Sequence, residues 1–276
     1  MTRGQRMAPD TRNIPRARRP RLAGVIEFRG VLGGAVAELG QRIVAGEWQP
    51  GESIPREPDL CAELGISRSI MREAMRVLGA KGLVRSRTSD GTRVTARAEW
   101  RLLDPDVMDW RIRAGDTEDL LRDLLRVRLV LEPGIVRMAT LCADDAARAK
   151  IAAAWADKVA VYTTPDADYA ERRRRFIETD LAFHHALLEA TGSQLLDQLF
   201  AVTQAALRLL LDVQMRARGY ESEMIGMEES HQLHEAVFVA FERRDAPGAQ
   251  AAMERLLECA IADARAGLAV RARDAE

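Results

Sequence analysis

Apolar positions in this chain repeat at helical spacing almost from end to end, and one short strand-like stretch near residue 90 interrupts them. Val31, Ala35, Leu39 and Ile43 mark one face of a first helix over about Gly30–Ala45, closed by Trp48-Gln49-Pro50-Gly51. Residues 54–94 then read as helix, tight turn, second helix and short basic hairpin. Ser67 is placed to cap that second helix, about Arg68–Ala80, because its hydroxyl can accept an otherwise unsatisfied amide of the first turn. Ile70, Ala74, Val77 and Leu78 form the predicted inward face, and Arg68, Arg72 and Arg76 recur every four residues along the other side. An apolar back, an arginine front and an N-terminus with free amides for phosphate suit a DNA major groove. Leu83–Thr95 carries Arg85, Arg87 and Arg93 around Asp90-Gly91, a hairpin-turn pair. The predicted unit is a winged helix-turn-helix over 29–97.

Residues 98–116 hold Trp100, Leu103-Asp104-Pro105 and Trp110, which is too apolar for a free linker. A short helix over about 104–113, packed between domains, is expected there. From Thr117, taken as a helix cap, the helical repeat is continuous and strand signals are absent. Asp144, Asp166, Ser193 and Asp245 stand at later helix starts. Six helices follow, at about 117–142, 144–161, 167–191, 193–217, 222–243 and 245–269. The predicted fold is mainly α: the N-terminal winged unit plus a C-terminal antiparallel all-α bundle of about six helices over 117–270, with a short tail at 271–276.

Charge divides the chain in the same place. Residues 1–97 hold 18 Lys+Arg against 10 Asp+Glu, a net +8, whereas 98–276 hold 23 against 32, a net −9. A DNA reader fused to a separate sensing or assembly domain has this asymmetry. Only Lys81, Lys150 and Lys158 are lysines; arginine is abundant in both halves, which points to genomic base composition rather than to phosphate binding. Cys61, Cys142 and Cys259 are odd in number and far apart, as expected of small buried residues in a reducing compartment. No apolar run approaches a membrane span, and the arginines of residues 1–28 precede no apolar signal core, so the cytoplasm is expected. That tail, with Pro9, Pro15 and Pro20, reads as disordered. A solvated extension, or a true start at Met7 or later, is favoured over an arm touching DNA phosphates.

All four histidines, His184, His185, His231 and His234, lie in the helical half. Asp180 and His184 are four apart and share a helix face, as do His231 and His234 at three apart; two helices offering ligands inward is how bundles build metal sites. Glu228-x-x-His231 is half of a carboxylate di-metal pattern, but His184 has Leu181 three residues before it, so the second half is missing. No zinc-protease helix motif, phosphate-cradling glycine loop or nucleophile elbow occurs. A regulator is therefore expected, not an enzyme; a metal-dependent bundle enzyme with an appended DNA-binding domain is the alternative. Arg128 and Glu132 lie one turn apart. By pattern they form an ordinary ion pair on a solvated face, against the alternative of a buried clamp for a carboxylate ligand.

PGESIPREPDLCAELGISRSIMREAMRVLGAKGLVRSRTSDGTRV resembles the DNA-binding signature of the GntR family of bacterial regulators, and the helical half resembles the effector domain of its FadR subfamily. The resemblance implies DNA contacts from Arg68 and Arg72, with Ser67 and Ser69 beside them, and from the wing around Gly91; Arg76 on the arginine stripe and Arg87, Thr92 and Arg93 in the hairpin are expected to join them. Pro58 stands where the family often has a DNA-contacting arginine, with Arg56 two residues earlier as the substitute. LLRVRLVLEPGIVRMAT resembles the first effector-domain motif and implies a role for Arg128 and Glu132 in effector binding. DLAFHHALLEATGS and HEAVFVAFERRDAPGAQAAMERL imply metal ligands at Asp180, His184 and His234, for zinc, nickel or manganese. Leu256 stands where the family has its fourth ligand, a histidine. His231 from one turn away, or water and an effector carboxylate, are the candidates to complete the shell. RLLDPDVMDW resembles the galactonate-operon repressor group, which makes a sugar acid the expected effector. The implied partners are palindromic operator DNA, a small carboxylate and a second copy of the chain, with no membrane.

Overall fold

A computed structural model describes residues 30–87, 91–164, 168–217 and 227–274. Helices α1 (Gly30–Val44), α2 (Glu57–Leu64) and α3 (Arg68–Ala80) precede an antiparallel pair, β1 (Val84–Arg87) and β2 (Gly91–Val94). The chain then forms α4 (Pro105–Arg113), α5 (Thr117–Cys142), α6 (Asp145–Thr163), α7 (Tyr169–Glu189), α8 (Gln194–Ala217), α9 (Met227–Glu242) and α10 (Ala246–Asp274). The expected N-terminal tail, the Asp90 turn and Asp166 lie outside the described residues.

Gly65, in the left-handed region at φ 64°, turns the chain between α2 and α3. Ser67 caps α3, its hydroxyl accepting the Ile70 amide at 3.4 Å. The buried face of α3 is Met71, Ala74, Met75 and Leu78; Ile70 and Val77, expected inward, are half-buried on its flank. The two choices share Ala74 and Leu78, and the long unbranched methionines fill the centre. Val84 pairs with Val94 and Arg85 with Arg93, and the segment at Gly51–Ile54 runs along the free edge of β2.

The expected interdomain helix is α4. Asp104 caps it, accepting the Asp106 and Val107 amides at 3.0 and 3.3 Å. Lys81, at the C-cap of α3, donates Nζ to Asp104 at 2.8 Å and lies 2.6 Å from Asp106, all three buried or nearly so. Trp110 lies flat against α1 at Gly40, where an added Cβ would stand 2.4 Å from the indole. Trp100, Val107 and Trp110 belong to the apolar core of the DNA-reading unit, while Met108 packs with Leu120, Leu121, Leu124 and Leu207 of α5 and α8. One nine-residue helix is thus shared by two cores.

In the bundle, α10 packs against α5 and α9, and α6 against α7, around Val136, Ile151, Phe183, Leu187, Val237, Phe241 and Met253. Asp144, Ser193 and Asp245 cap their helices. Two starts differ from expectation. Asp116, not Thr117, is the residue before α5, and Asp168 caps α7 through the Ala170 amide. The cysteines are free as expected but not buried: Cys142 is exposed, and Cys61 and Cys259 are intermediate.

Candidate metal centre and DNA-reading helix

The exposed face of α3 carries Arg68, Arg72 and Arg76, with Ser67 and Ser69 at its N-terminus linked hydroxyl to hydroxyl at 3.0 Å. Two of these arginines have partners within the chain. Arg72 Nε reaches Glu57 at 3.3 Å and Arg76 reaches Glu73 at 2.6 Å, with nearly three-quarters of each arginine side chain in solvent. Such exposed pairs are weak, so phosphates or base edges can replace them. Arg56 is exposed beside the N-terminus of α2, where Pro58 occupies the first turn. In the wing, Thr92 bonds Ser86 across the strands at 2.7 Å, and Arg93 donates to the Gly51 carbonyl at 2.9 Å, which ties it to the loop before α2. Arg87 ends β1, and its side chain lies outside the described residues.

Within the bundle, α5, α6, α7 and α9 turn polar groups toward one another. Arg128 and Glu132 of α5 are buried, 7% and 4% exposed, so the solvated pair expected from the pattern is not what forms. Arg128 donates Nε and Nη2 to the two oxygens of Glu132. The other face of that carboxylate lies 2.6 Å from His184 Nδ1, off the line of a straight hydrogen bond. Burial by itself would raise Glu132; the opposing charge of Arg128, aided by His184, brings it down to about 2.

Asp180, His184 and His234 form one buried group whose ligand atoms lie within 4.8 Å of one another. His184 Nε2 is 3.2 Å from His234 Nε2, which is 2.9 Å from Asp180 Oδ1. Their outer contacts set the tautomers. His234 Nδ1 lies 2.6 Å from the Ser230 carbonyl, which can only accept, so Nδ1 carries the proton and Nε2 is bare. The negative charge of Glu132, 2.6 Å from His184 Nδ1, favours a proton on that nitrogen and so leaves its Nε2 bare as well. Two imidazole lone pairs and a carboxylate therefore face each other, an arrangement of acceptors that a divalent cation satisfies. Burial, then the charge of Lys158, pushes His234 down to about 4, so it does not supply the missing positive charge itself. Burial would raise Asp180, but the charge of Lys158 holds its carboxyl well below the usual range. The donor set fits a metal through three protein ligands. Leu256 is buried in the bundle core, with no donor to offer.

His231 lies outside that three-residue group. Its ring stacks on Tyr162 at 4.1 Å and 6°, and on Trp155 at 5.2 Å and 16°, away from the group. Glu228 is exposed and accepts from Gln232, so the half-pattern of a di-metal enzyme is not assembled.

A cavity opens beside Arg128, Glu132 and His184, closed on its far side by Phe200, Thr203 and Gln204 of α8. Gln204 Nε2 is buried without a hydrogen-bond partner, and Thr203 spends its proton on the Phe200 carbonyl at 2.9 Å. The wall thus offers a guanidinium, a free amide donor and hydroxyl lone pairs. Sequence reasoning missed Gln204 and Thr203, which sit in an unremarkable apolar helix, and it missed Lys158, buried against Asp180 at 2.7 Å.

An arginine-faced capped helix with a wing, joined to a helical bundle enclosing a polar centre, is the arrangement of a DNA-binding protein with a second, helical domain. Residues 33–94 match the family described as bacterial regulatory proteins, gntR family, and residues 123–258 match the FCD domain. The galactonate operon transcriptional repressor of Escherichia coli (strain K12) is 30% identical over 217 residues, spanning 79% of this chain and 89% of that protein. The Uxu operon transcriptional regulator of the same strain is 26% identical over 223 residues, 78% of this chain and 79% of that one. A solved structure, GntR of Streptococcus agalactiae, is 21% identical with a TM-score of 0.43 over 83% of this chain and 98% of its own. The chain belongs to the GntR family of transcriptional regulators, with an FCD domain as its second half. These families and relatives are transcriptional regulators rather than enzymes, and the enzyme alternative falls. No helix among the described residues is long and apolar enough to cross a membrane.

Proposed function

We propose that this chain is a cytoplasmic repressor whose hold on a palindromic operator is released by a small sugar acid bound in the helical domain. The buried Arg128–Glu132–His184 chain, ending at a cavity with an unpaired Gln204 amide, is the observation that carries this reading. Arg128 anchors the carboxylate of the ligand, trading part of its bond to Glu132, while Gln204 and Thr203 meet hydroxyls. The names of the E. coli galactonate and Uxu operon regulators support a sugar acid over other carboxylates. Asp180, His184 and His234 hold a divalent ion, zinc, nickel or manganese, and the effector supplies the ligand that Leu256 cannot. When bound, such an ion supplies a Lewis-acid anchor for the oxygens of the effector.

On DNA, residues 29–97 act as the reading unit and 117–270 as the sensing and pairing unit. α3 enters the major groove, where a bidentate Arg68 or Arg72 contact to guanine is worth about 1–3 kcal/mol. Arg56, Ser67, Ser69 and Arg76 flank it, and the wing at Arg87, Gly91, Thr92 and Arg93 follows the backbone and makes binding steeply salt-dependent. A homodimer is supported by an exposed apolar stripe on α5: Val127, Val130, Met138 and Leu141 are 37% to 78% exposed. Their spacing is symmetric about Gly134, as an antiparallel contact between two copies requires. Ligand binding against α5 and α8 moves α4, which both cores share, and so turns the paired α3 helices out of register. Release needs a coupling of only about 1–3 kcal/mol.

The test is operator binding by the full chain, followed by fluorescence anisotropy with and without galactonate and related aldonates. Two chains per operator are expected, with release by one aldonate. Arg128→Ala should keep DNA affinity and lose release. Persistent release by Arg128→Ala sinks the anchor, and one chain per operator sinks the dimer.

A further inference from the structure

Helix α6 turns Ile151, Trp155, Lys158 and Val161 inward, so a lysine holds one position of an otherwise apolar stripe. Only 3% of the Lys158 side chain is exposed. Its Nζ donates to Asp180 Oδ1 at 2.7 Å and lies 4.8 Å from the centre of the Phe176 ring. That same oxygen is 2.9 Å from His234 Nε2, so an ammonium and an imidazole lone pair meet at one atom. An ammonium this deep is tolerable only with an anion to hold it, and a buried carboxylate would be equally costly alone. A dication drawn to Asp180, His184 and His234 needs the same carboxylate. Two cations a few ångströms apart in an apolar interior repel strongly, because little solvent screens them.

We propose that Lys158 is a resident cation that occupies Asp180 in the metal-free protein, so that the ammonium and a divalent ion are antagonists at one carboxylate. This rests on the reading that Asp180, His184 and His234 hold a metal. The flexible stem of lysine allows the exchange without movement of α6. In metal-poor conditions the bundle keeps its centre neutralised rather than empty. Metal loading then has to overcome a competitor built into the fold, which sets a threshold concentration for a metal-dependent response.

The experiment compares the full chain with Lys158→Met and Lys158→Gln. Zinc affinity is read by competition with a chromophoric chelator at one fixed pH, and the melting temperature is taken with and without zinc. Chelated Lys158→Met should melt below the chelated native protein and gain more from zinc, with zinc affinity tightened by about tenfold or more. Lys158→Gln keeps an N–H for Asp180 without the charge and should shift the same way by less; it carries the test where the methionine variant does not fold. Equal zinc affinity in all three proteins overturns the antagonism. Weaker binding in the variants overturns it too, making Lys158 a support of the Asp180 ligand instead. Zinc uptake by the variants alone upholds the antagonism but sinks the metal reading for the native chain. Uptake by none of them sinks both.

Discussion

Lys81 and Lys158 are buried to a similar depth, 7% and 3% exposed, yet Asp106 beside the first and Asp180 beside the second respond in opposite ways. At the interdomain joint, Lys81 serves two carboxylates, and one of them also caps α4. Burial outweighs the lysine there, and Asp106 is raised above its ordinary range. In the bundle, Lys158 is paired with Asp180, which is held well below its range although it is buried. At the joint each carboxylate has a cationic donor: Asp104 and Asp106 share Lys81, and Asp109 takes Arg113. The bundle centre leaves two bare imidazole nitrogens and a carboxylate in mutual contact. Depth of burial therefore does not separate a structural charge from a functional one; the number of acceptors left without a donor does.

Substitutions can break this contrast. Asp180→Asn strands the Lys158 ammonium in an apolar interior and should cost the chelated protein about 3–5 kcal/mol in denaturant unfolding. A loss under one would mean that the ammonium finds water and is not truly buried. Gly40→Ala drives a methyl group into Trp110 and should cost about 1–3 kcal/mol, with operator release weakened more than operator binding. Unchanged release would remove α4 from the path between the domains. Asp106→Asn should be the mildest, within about 1 kcal/mol of native or better near pH 7.5. The sign follows from its raised carboxyl: the folded state takes up a proton at higher pH than the unfolded one, so ionisation at neutral pH opposes folding. As pH falls through the raised range toward the ordinary 3.8, native Asp106 regains that stability and any advantage of Asn should vanish. An advantage that grows on acidification would reverse the assignment.

Much of the fold was legible because helices advertise themselves locally. Ser67 before an arginine stripe, Asp104-Pro105 before a short helix, and the Asp144 and Asp245 starts are each decided within four residues. Asp180 and His184 could be paired for the same reason, being one turn apart. His234 joined them only through family resemblance, since nothing in α9 distinguishes it from His231, which packing diverts into an aromatic stack. Burial of Arg128 and Glu132 was illegible because an i,i+4 pair has the same spacing on a wet face as on a dry one. Lys158 did leave a trace. Among 41 cationic residues only three are lysines, and two of those three are the buried ones. In a chain that otherwise uses arginine, a compact ammonium inside an apolar helical stripe was the signal to follow.

Trp110 against Gly40 has a consequence for how such proteins are recombined. The matched DNA-binding region ends at residue 94, and a chimaera maker would cut near there. The cut would remove Trp100, Val107 and Trp110 from the reader's own core and expose the bare patch on α1 that they cover. A foreign sensor would then have to bring a matching indole, or the reader would be grafted with a hole in it. The exchangeable cassette runs through Arg113, and the seam that sequence motifs draw is not the seam along which this molecule comes apart.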